Sequence, residues 1–236
     1  YVKSLRLQKN RLESKRFVVE GKKPVMELIQ AGFTIEAIYV QSELQLEELG
    51  HNVEEVSETD MKQLSDLSTP PGILAVAHLP EWYPEVKSPL ELSVDKGILV
   101  LDGIRDPGNL GTIIRTADWF GHKAILATSD TVDCFNQKVV QASMGSVFRV
   151  QVLYLSDVQL DELRSLDWYG LDLGGQSLYE TKPKSGLYVI GNESHGIRAA
   201  MRERIQTYLH IPGAGKAESL NAAVSAAILM NELYRS

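Results

Sequence analysis

The chain predicts an α/β fold whose carboxyl-terminal part is built on a parallel sheet, and three observations carry that reading. Short apolar runs of strand length alternate with helical runs along nearly the whole sequence, the pattern of a sheet covered on both faces. Within residues 96–236, three such runs end abruptly in glycine-punctuated loops. The 236 residues are 44% hydrophobic and 23% charged, ordinary for a globular protein and enough for one large domain or two smaller ones.

Residues 1–80 read as a small α/β unit. A basic helix is expected over Val2–Arg11, then a short strand at Phe17–Val19. Gly21 opens a helix through Ile29, and Gly32 sits where a carboxyl-terminal cap belongs. Ile35–Val40, Val53–Val56 and Gly72–Ala77 read as strands, Glu43–Leu49 and Glu58–Leu67 as helices. Pro80, Pro84, Pro89 and weak periodicity mark a linker over residues 81–95.

Residues 96–236 read as a second domain. The expected strands are Ile98–Leu101, Lys123–Ala127, Val147–Leu153, Tyr169–Leu173, Gly186–Gly191 and Tyr208–Ile211. Helices are expected over Leu110–Phe120, Gln137–Met144, Asp157–Leu166 and Leu220–Tyr234.

Several function classes are excluded early. A single cysteine, Cys134, leaves no disulfide framework or cysteine-cluster metal site within one chain. No His/Cys/Asp/Glu set has metal-ligand spacing, and no Gly-x-Ser-x-Gly elbow is present. No apolar run approaches a membrane span and the first residues do not form a signal peptide, so a reducing cytoplasm is expected.

The net charge of −7 taken alone argues against a nucleic-acid partner. Its distribution argues otherwise. Residues 1–25 hold eight cations against two anions, while residues 26–95 hold two against 14. A dense basic segment on an acidic body can present a phosphate-binding face inside a low overall charge. A solvated, partly helical amino terminus is the plainer reading.

Three segments can carry chemistry. In the first, Leu101–Gly121, a strand, a glycine turn and a helix create a layout suited to a ligand at a helix amino terminus. Its glycines at 103, 108 and 111 fit neither GxGxxG nor a P-loop. Asn109 falls at the helix start, where a plain N-cap is the modest reading. Arg115 lies within the helix, as a surface ion-pair partner or a bidentate phosphate clamp. The second, Leu187–Ile197, is an apolar strand ending in Gly191-Asn192-Glu193, which places a carboxylate at the carboxyl end of a strand. A tight Asn-Gly turn explains the same residues, and His195 reads as a polar loop residue. The third, Leu209–Ile228, runs from a strand through a glycine-rich loop to Ser219, placed to cap a helix rich in small residues. Together they suggest a small polar ligand wrapped mainly by backbone.

In this order and spacing, the three segments resemble the signature motifs of the SpoU (TrmH) RNA methyltransferases. Residues 1–78, with Lys9, Arg11 and Phe17–Gly21, resemble the ribosomal-protein-like α/β substrate-binding domain that often precedes them. The resemblance implies a deep trefoil knot in the parallel-sheet domain, a rare exception to unknotted topology. It implies S-adenosyl-L-methionine as cofactor, a homodimer through the knotted domain, and methyl transfer to a ribose 2′-hydroxyl of structured RNA. Ribosomal RNA is favoured because of the additional domain. Transfer RNA is the nearer alternative, and a silent RNA-binding protein or a dinucleotide enzyme the more distant ones.

Carried over by position, Asn109, Arg115, Glu193, Ser219 and Asn221 match the family's polar catalytic residues. Gly191, Asn192, Ile211 and Leu220 are the expected cofactor contacts, and Lys9, Arg11, Lys15 and Arg16 the expected RNA contacts. The chain departs at Ser194, where a glycine is usual, and at Gly213, where methionine commonly follows Ile-Pro.

Overall fold

A computed structural model describes residues 1–41, 52–84, 97–181 and 185–235. The helix expected over Glu43–Leu49 and most of the 81–95 linker lie outside the described residues. Two sheets organise the rest.

The amino-terminal sheet contains β1 (Arg16–Glu20), β2 (Ile35–Gln41), β3 (Val53–Val56) and β4 (Ile73–His78) in the order β1-β4-β2-β3. β4 runs antiparallel to both β1 and β2, and β3 is parallel to β2. The basic segment is two pieces, a 3-10 turn over Val2–Arg6 and α1 (Gln8–Ser14). They divide because Val2 and Leu5 are buried in a small core, whereas Leu7 is extended and exposed. α2 (Lys22–Gln30) follows β1, and α3 (Glu58–Leu64) starts at a Ser57 side-chain cap.

The carboxyl-terminal sheet has six strands, β5 (Ile98–Asp102), β6 (Ala124–Thr128), β7 (Gln151–Leu155), β8 (Trp168–Ser177), β9 (Leu187–Gly191) and β10 (Thr207–His210). Their order is β10-β8-β9-β5-β6-β7, and every neighbouring pair is parallel. The chain moves outward from β5 to β7 and then returns to the other side of β5. The order therefore reverses between β5 and β9, and ligands favour the crevice beyond the strand ends at such a point. Helices α4 (Pro107–Trp119), α5 (Gln137–Ser143), α6 (Asp157–Asp161), α7 (Ala199–Arg202) and α8 (Ala222–Arg235) complete this part.

Three expectations are corrected here. Ser146–Phe148 is a 3-10 turn rather than the start of a strand, and β7 begins only at Gln151. Val147 and Phe148 are apolar because they are buried against other elements, and an apolar run alone does not distinguish strand from turn. α6 is shorter than expected, and the buried Leu163 lies beyond its end. β8 continues through Gly174 and Gly175 to Ser177. A Cβ on Gly175 would strike the Tyr208 and Leu209 backbone, so its glycine permits close packing against β10 rather than ending the strand.

The two sheets are joined by one apolar core and one buried ionic network. Phe17 on β1 packs on Phe135 at a centroid distance of 4.6 Å, and Phe33 meets Phe148 at 5.4 Å. Arg11, on α1, is only 2% exposed, and its Nε donates to Asp133 Oδ2 at 3.0 Å. A second Arg11 nitrogen, Nη2, donates to the same oxygen. Asp133 Oδ1 accepts from the Tyr83 hydroxyl at 2.7 Å and the Phe135 amide at 2.9 Å. Arg11 Nη1 is satisfied by the Leu5 and Arg6 carbonyls, so neither partner is left unpaired. Burial, followed by the charge of Asp133, holds the Tyr83 hydroxyl far above its ordinary pKa, keeping it a donor. Tyr83 thus pins the beginning of the expected linker to the carboxyl-terminal part.

Arg11→Ala removes one partner of this pair and strands a buried carboxylate, which should lower stability by about 3–5 kcal/mol. A denaturant titration of the full chain checks the loss.

Candidate functional site

The end of β5 positions the site. Asp102 is fully buried, and its carboxylate accepts from the Arg198 amide at 2.7 Å and from Arg198 Nε at 2.5 Å. Asn192 Nδ2 donates to the Gly103 carbonyl at 2.8 Å. The loop after β9 is therefore fastened to β5 at both its ends. Within it, Asn192 and Gly196 bridge their backbones, and Ser194 N donates to Asn192 Oδ1 at 2.9 Å. A Cβ on Gly191 would collide with the Gly196 and Ile197 backbone, so this tight fold-back needs glycine.

Glu193 stands on the fastened loop and gathers the other segments. Its Oε1 accepts from Asn109 Nδ2 at 2.6 Å and Asn221 Nδ2 at 2.7 Å. Asn221 Nδ2 also reaches Asn109 Oδ1 at 3.0 Å. The Ala222 amide lies 3.5 Å from the same Glu193 oxygen. One carboxylate oxygen thus joins α4, the β9 loop and the start of α8.

Two helix caps differ from expectation. Asp106, not Asn109, caps α4, accepting from the Asn109 amide at 2.8 Å. Asn109 is therefore a third-position residue whose side chain is free to turn toward Glu193. At α8 the cap is Asn221, whose Oδ1 accepts from the Ala223 amide at 2.9 Å and the Val224 amide at 3.3 Å. Ser219 instead lies in the preceding loop, exposed at the wall of a cleft.

That cleft, about 260 Å³, lies at the carboxyl ends of β9 and β10 and along the middle of β8. It brings together Gly191, Asn192, Glu193, Ile211, Ser219 and Leu220 from the sequence-derived set. Its remaining walls include Leu171, Asp172 and Leu173 of β8, which sequence reasoning treated as an ordinary strand. Hydrogen bonds from Arg202, at 2.8 Å, and the Gly174 amide hold the Asp172 carboxyl below its usual range. The Gly174-Gly175 pair was the available signal, since strand glycines mark close backbone approach. A second cleft of about 230 Å³ shares the Asn192 and Glu193 wall, and contains Arg105, Asp106, Asn109 and His195.

Arg115 is not drawn into the Glu193 cluster. It is exposed on α4, six residues beyond Asn109, which puts it about 9 Å along the helix and on a different face. The basic candidates also divide. Lys9 and Lys15 are exposed, whereas the buried Arg11 is withdrawn as an RNA contact because Asp133 and two carbonyls consume its donors. Arg16 is largely committed as well, to Glu36 at 2.5 Å and to the Ser14 carbonyl at 3.0 Å. No group of three metal-ligating side chains occurs among the described residues.

Residues 96–231 match the SpoU rRNA Methylase family model. The chain belongs to the SpoU rRNA methylase family. Residues 1–75 match an MRM3-like substrate binding domain, a second module found beside the SpoU part. The 23S rRNA (guanosine(2553)-2′-O)-methyltransferase RlmP of Bacillus subtilis is 34% identical, across 98% of this chain and 93% of its own length. A solved TrmH-family structure from Porphyromonas gingivalis is 37% identical with a TM-score of 0.86, covering 99% of this chain and 95% of that one. An AdoMet-bound rRNA methyltransferase from Sinorhizobium meliloti is 29% identical with a TM-score of 0.85, covering 99% and 92%.

Asn221→Asp keeps the oxygen that caps α8 but sets a second carboxylate against Glu193. The folded state then binds a proton that the unfolded chain does not, so stability falls as pH rises. Relative to the parent, the variant should lose about 1 kcal/mol more at pH 8 than at pH 5. Asn221→Ala should cost about 1 kcal/mol through the lost cap, without that slope. Denaturant titrations at both pH values separate the two.

Proposed function

We propose that this chain transfers a methyl group from S-adenosyl-L-methionine to a ribose 2′-hydroxyl of ribosomal RNA. The observation that carries the reading is the Glu193 oxygen, which draws Asn109 and Asn221 to the edge of the first cleft. The cleft suits this cofactor in shape and donor set. Leu171, Leu173, Ile190, Ile211 and Leu220 offer apolar walls, and the strand-end backbone around Gly191 and His210 offers hydrogen-bonding edges. When bound, the cofactor supplies an activated methyl on a cationic sulfonium.

The chain's residues then have distinct tasks. Gly191, Asn192, Ile211 and Leu220 hold the cofactor, and Glu193 fixes the loop that faces it. Asn109 and Asn221 are oriented by Glu193, and with Ser219 they position the ribose. Arg115 presents a planar fork of donors matched to phosphate oxygens. Its task is to bind the target phosphate and stabilise the alkoxide charge that develops in an in-line displacement.

The same reading divides the chain into a substrate-binding domain at 1–80, a linker at 81–95 and a knotted methyltransferase domain at 96–236. The close approach of Gly175 to the Tyr208 and Leu209 backbone, where a late chain segment packs tightly on β8, supports the knotted arrangement. Exposed Trp119, Val224 and Tyr234 on α4 and α8 support a homodimer through this domain. Lys9 and Lys15 stay in the RNA face, joined by exposed Lys22 and Lys23 in the first turn of α2. Two cations there oppose the helix dipole, a local cost that a phosphate partner would offset. A cytoplasmic location goes with this reading. No described helix is long and apolar enough to cross a membrane.

Tritiated-methyl transfer to RNA from a strain lacking the gene tests the proposal. Wild-type protein should label the RNA, and Arg115→Ala should lose at least 100-fold in turnover while binding the cofactor within twofold of wild type. Wild-type turnover by Arg115→Ala would remove it from the reaction.

A further inference from the structure

Arg105, Asp106 and His195, on the wall of the second cleft, have no task in the reading above. It lies at the reversal point between β5 and β9, bounded by Ile104, Arg105, Asp106, Asn109, Asn192, Glu193, Ser194 and His195. It shares only Asn192 and Glu193 with the first cleft, so the Glu193 loop is a partition between two chambers. Arg105 is brought to the second chamber by the β5–α4 loop and His195 by the β9 loop. The Arg105 side chain is 74% exposed, and the only carboxylate paired with it among the described residues, Asp130, is at the 4.0 Å limit of an ion pair. Its forked donors are therefore available to an incoming anion.

We infer that this second chamber is the subsite for the target nucleotide of RNA, with Arg105 and His195 holding one of its two flanking phosphates and Arg115 the other, while the Glu193 side receives its ribose. The inference rests on the proposed methyl transfer and deepens it. The chemistry of the walls fits both parts of a nucleotide. Carboxylate and amide oxygens of Asp106, Asn109 and Glu193 accept from sugar hydroxyls. Arg105 offers a planar fork matched to phosphate oxygens, and an imidazole N–H adds a second donor from the β9 loop. The arrangement also accounts for geometry. A ribose held in the second chamber would lie against the Asn192–Glu193 wall that also lines the first, so the two clefts are neighbours across that wall. Asp106 and Glu193 keep the chamber from being a general anion trap, since a phosphate is favoured only beside Arg105 and His195. Both side chains are positioning residues for the substrate.

The experiment uses the full-length chain with Arg105→Gln, His195→Ala and the double substitution. Cofactor affinity is read by calorimetry, and methyl transfer with tritiated cofactor onto total RNA from a strain deleted for the gene. The salt dependence of RNA binding is read by filter retention. Each single variant should raise the KM for RNA at least tenfold, with cofactor affinity within twofold of wild type. Arg105→Gln should also reduce the salt slope by about one, as expected for one lost phosphate contact. An unchanged KM and slope in the double variant, with an active wild type, overturns the subsite and leaves the methyl-transfer reading standing. A wild type that labels no RNA overturns both. A parallel loss of cofactor affinity would place Arg105 and His195 in the first cleft and overturn the assignment.

Discussion

The Glu193 carboxylate oxygen is the point through which the catalytic end of this molecule is assembled. Asn109, Asn221 and Glu193 come from segments far apart in sequence, and none lies in regular structure that alone would place it beside the others. The oxygen accepts two side-chain amides within 2.7 Å, both oriented by a charge-assisted bond. Each amide keeps its remaining atoms for something else. Asn109 Oδ1 accepts from Asn221, and Asn221 Oδ1 caps α8. The contact therefore both caps a helix and joins three segments.

Holding that carboxylate in place is the work of the sheet beneath it. β5 and β9 are adjacent and parallel, with Asp102 paired opposite Gly191, so their carboxyl ends emerge side by side. Asp102 then fastens the far end of the β9 loop through Arg198, while Gly191 lets the loop fold directly back on itself. The result is a thin partition with a cleft on each face. Further away, the Arg11–Asp133–Tyr83 network sets the orientation of the amino-terminal sheet against this platform. On the proposed reading, an RNA bound to Lys9 and Lys15 would meet a rigidly held platform.

Most of the fold was legible from alternation and turn chemistry. All ten strands of the described residues were anticipated in place or shifted by a few residues, because short aliphatic runs ended by Gly or Asp are strong local signals. Failures came where tertiary contact overrode local pattern. Val147 and Phe148 looked like strand because they are apolar, yet they serve the interface between sheets. Gly174-Gly175 looked like an end, yet Gly175 lets the β10 backbone at Tyr208 and Leu209 pass close by. In the site, the motif residues were readable but their grouping was not. Nothing local distinguishes Asn221 as a cap from Ser219, or separates exposed Lys15 from buried Arg11 on the same basic stretch. Asp133, more than 100 residues away, decides the fate of Arg11. The charge sum had the same weakness, for placement and pairing matter more than totals.

The central claim is that the Glu193-centred edge performs methyl transfer to RNA. Its most direct test is mass-spectrometric mapping of 2′-O-methylated nucleotides in ribosomal RNA from a strain deleted for the gene, complemented with wild-type or Glu193→Ala protein. One methylated nucleotide should disappear on deletion, return with the wild type and stay absent with Glu193→Ala. A methylation map unchanged by deletion, or fully restored by Glu193→Ala, would contradict the account.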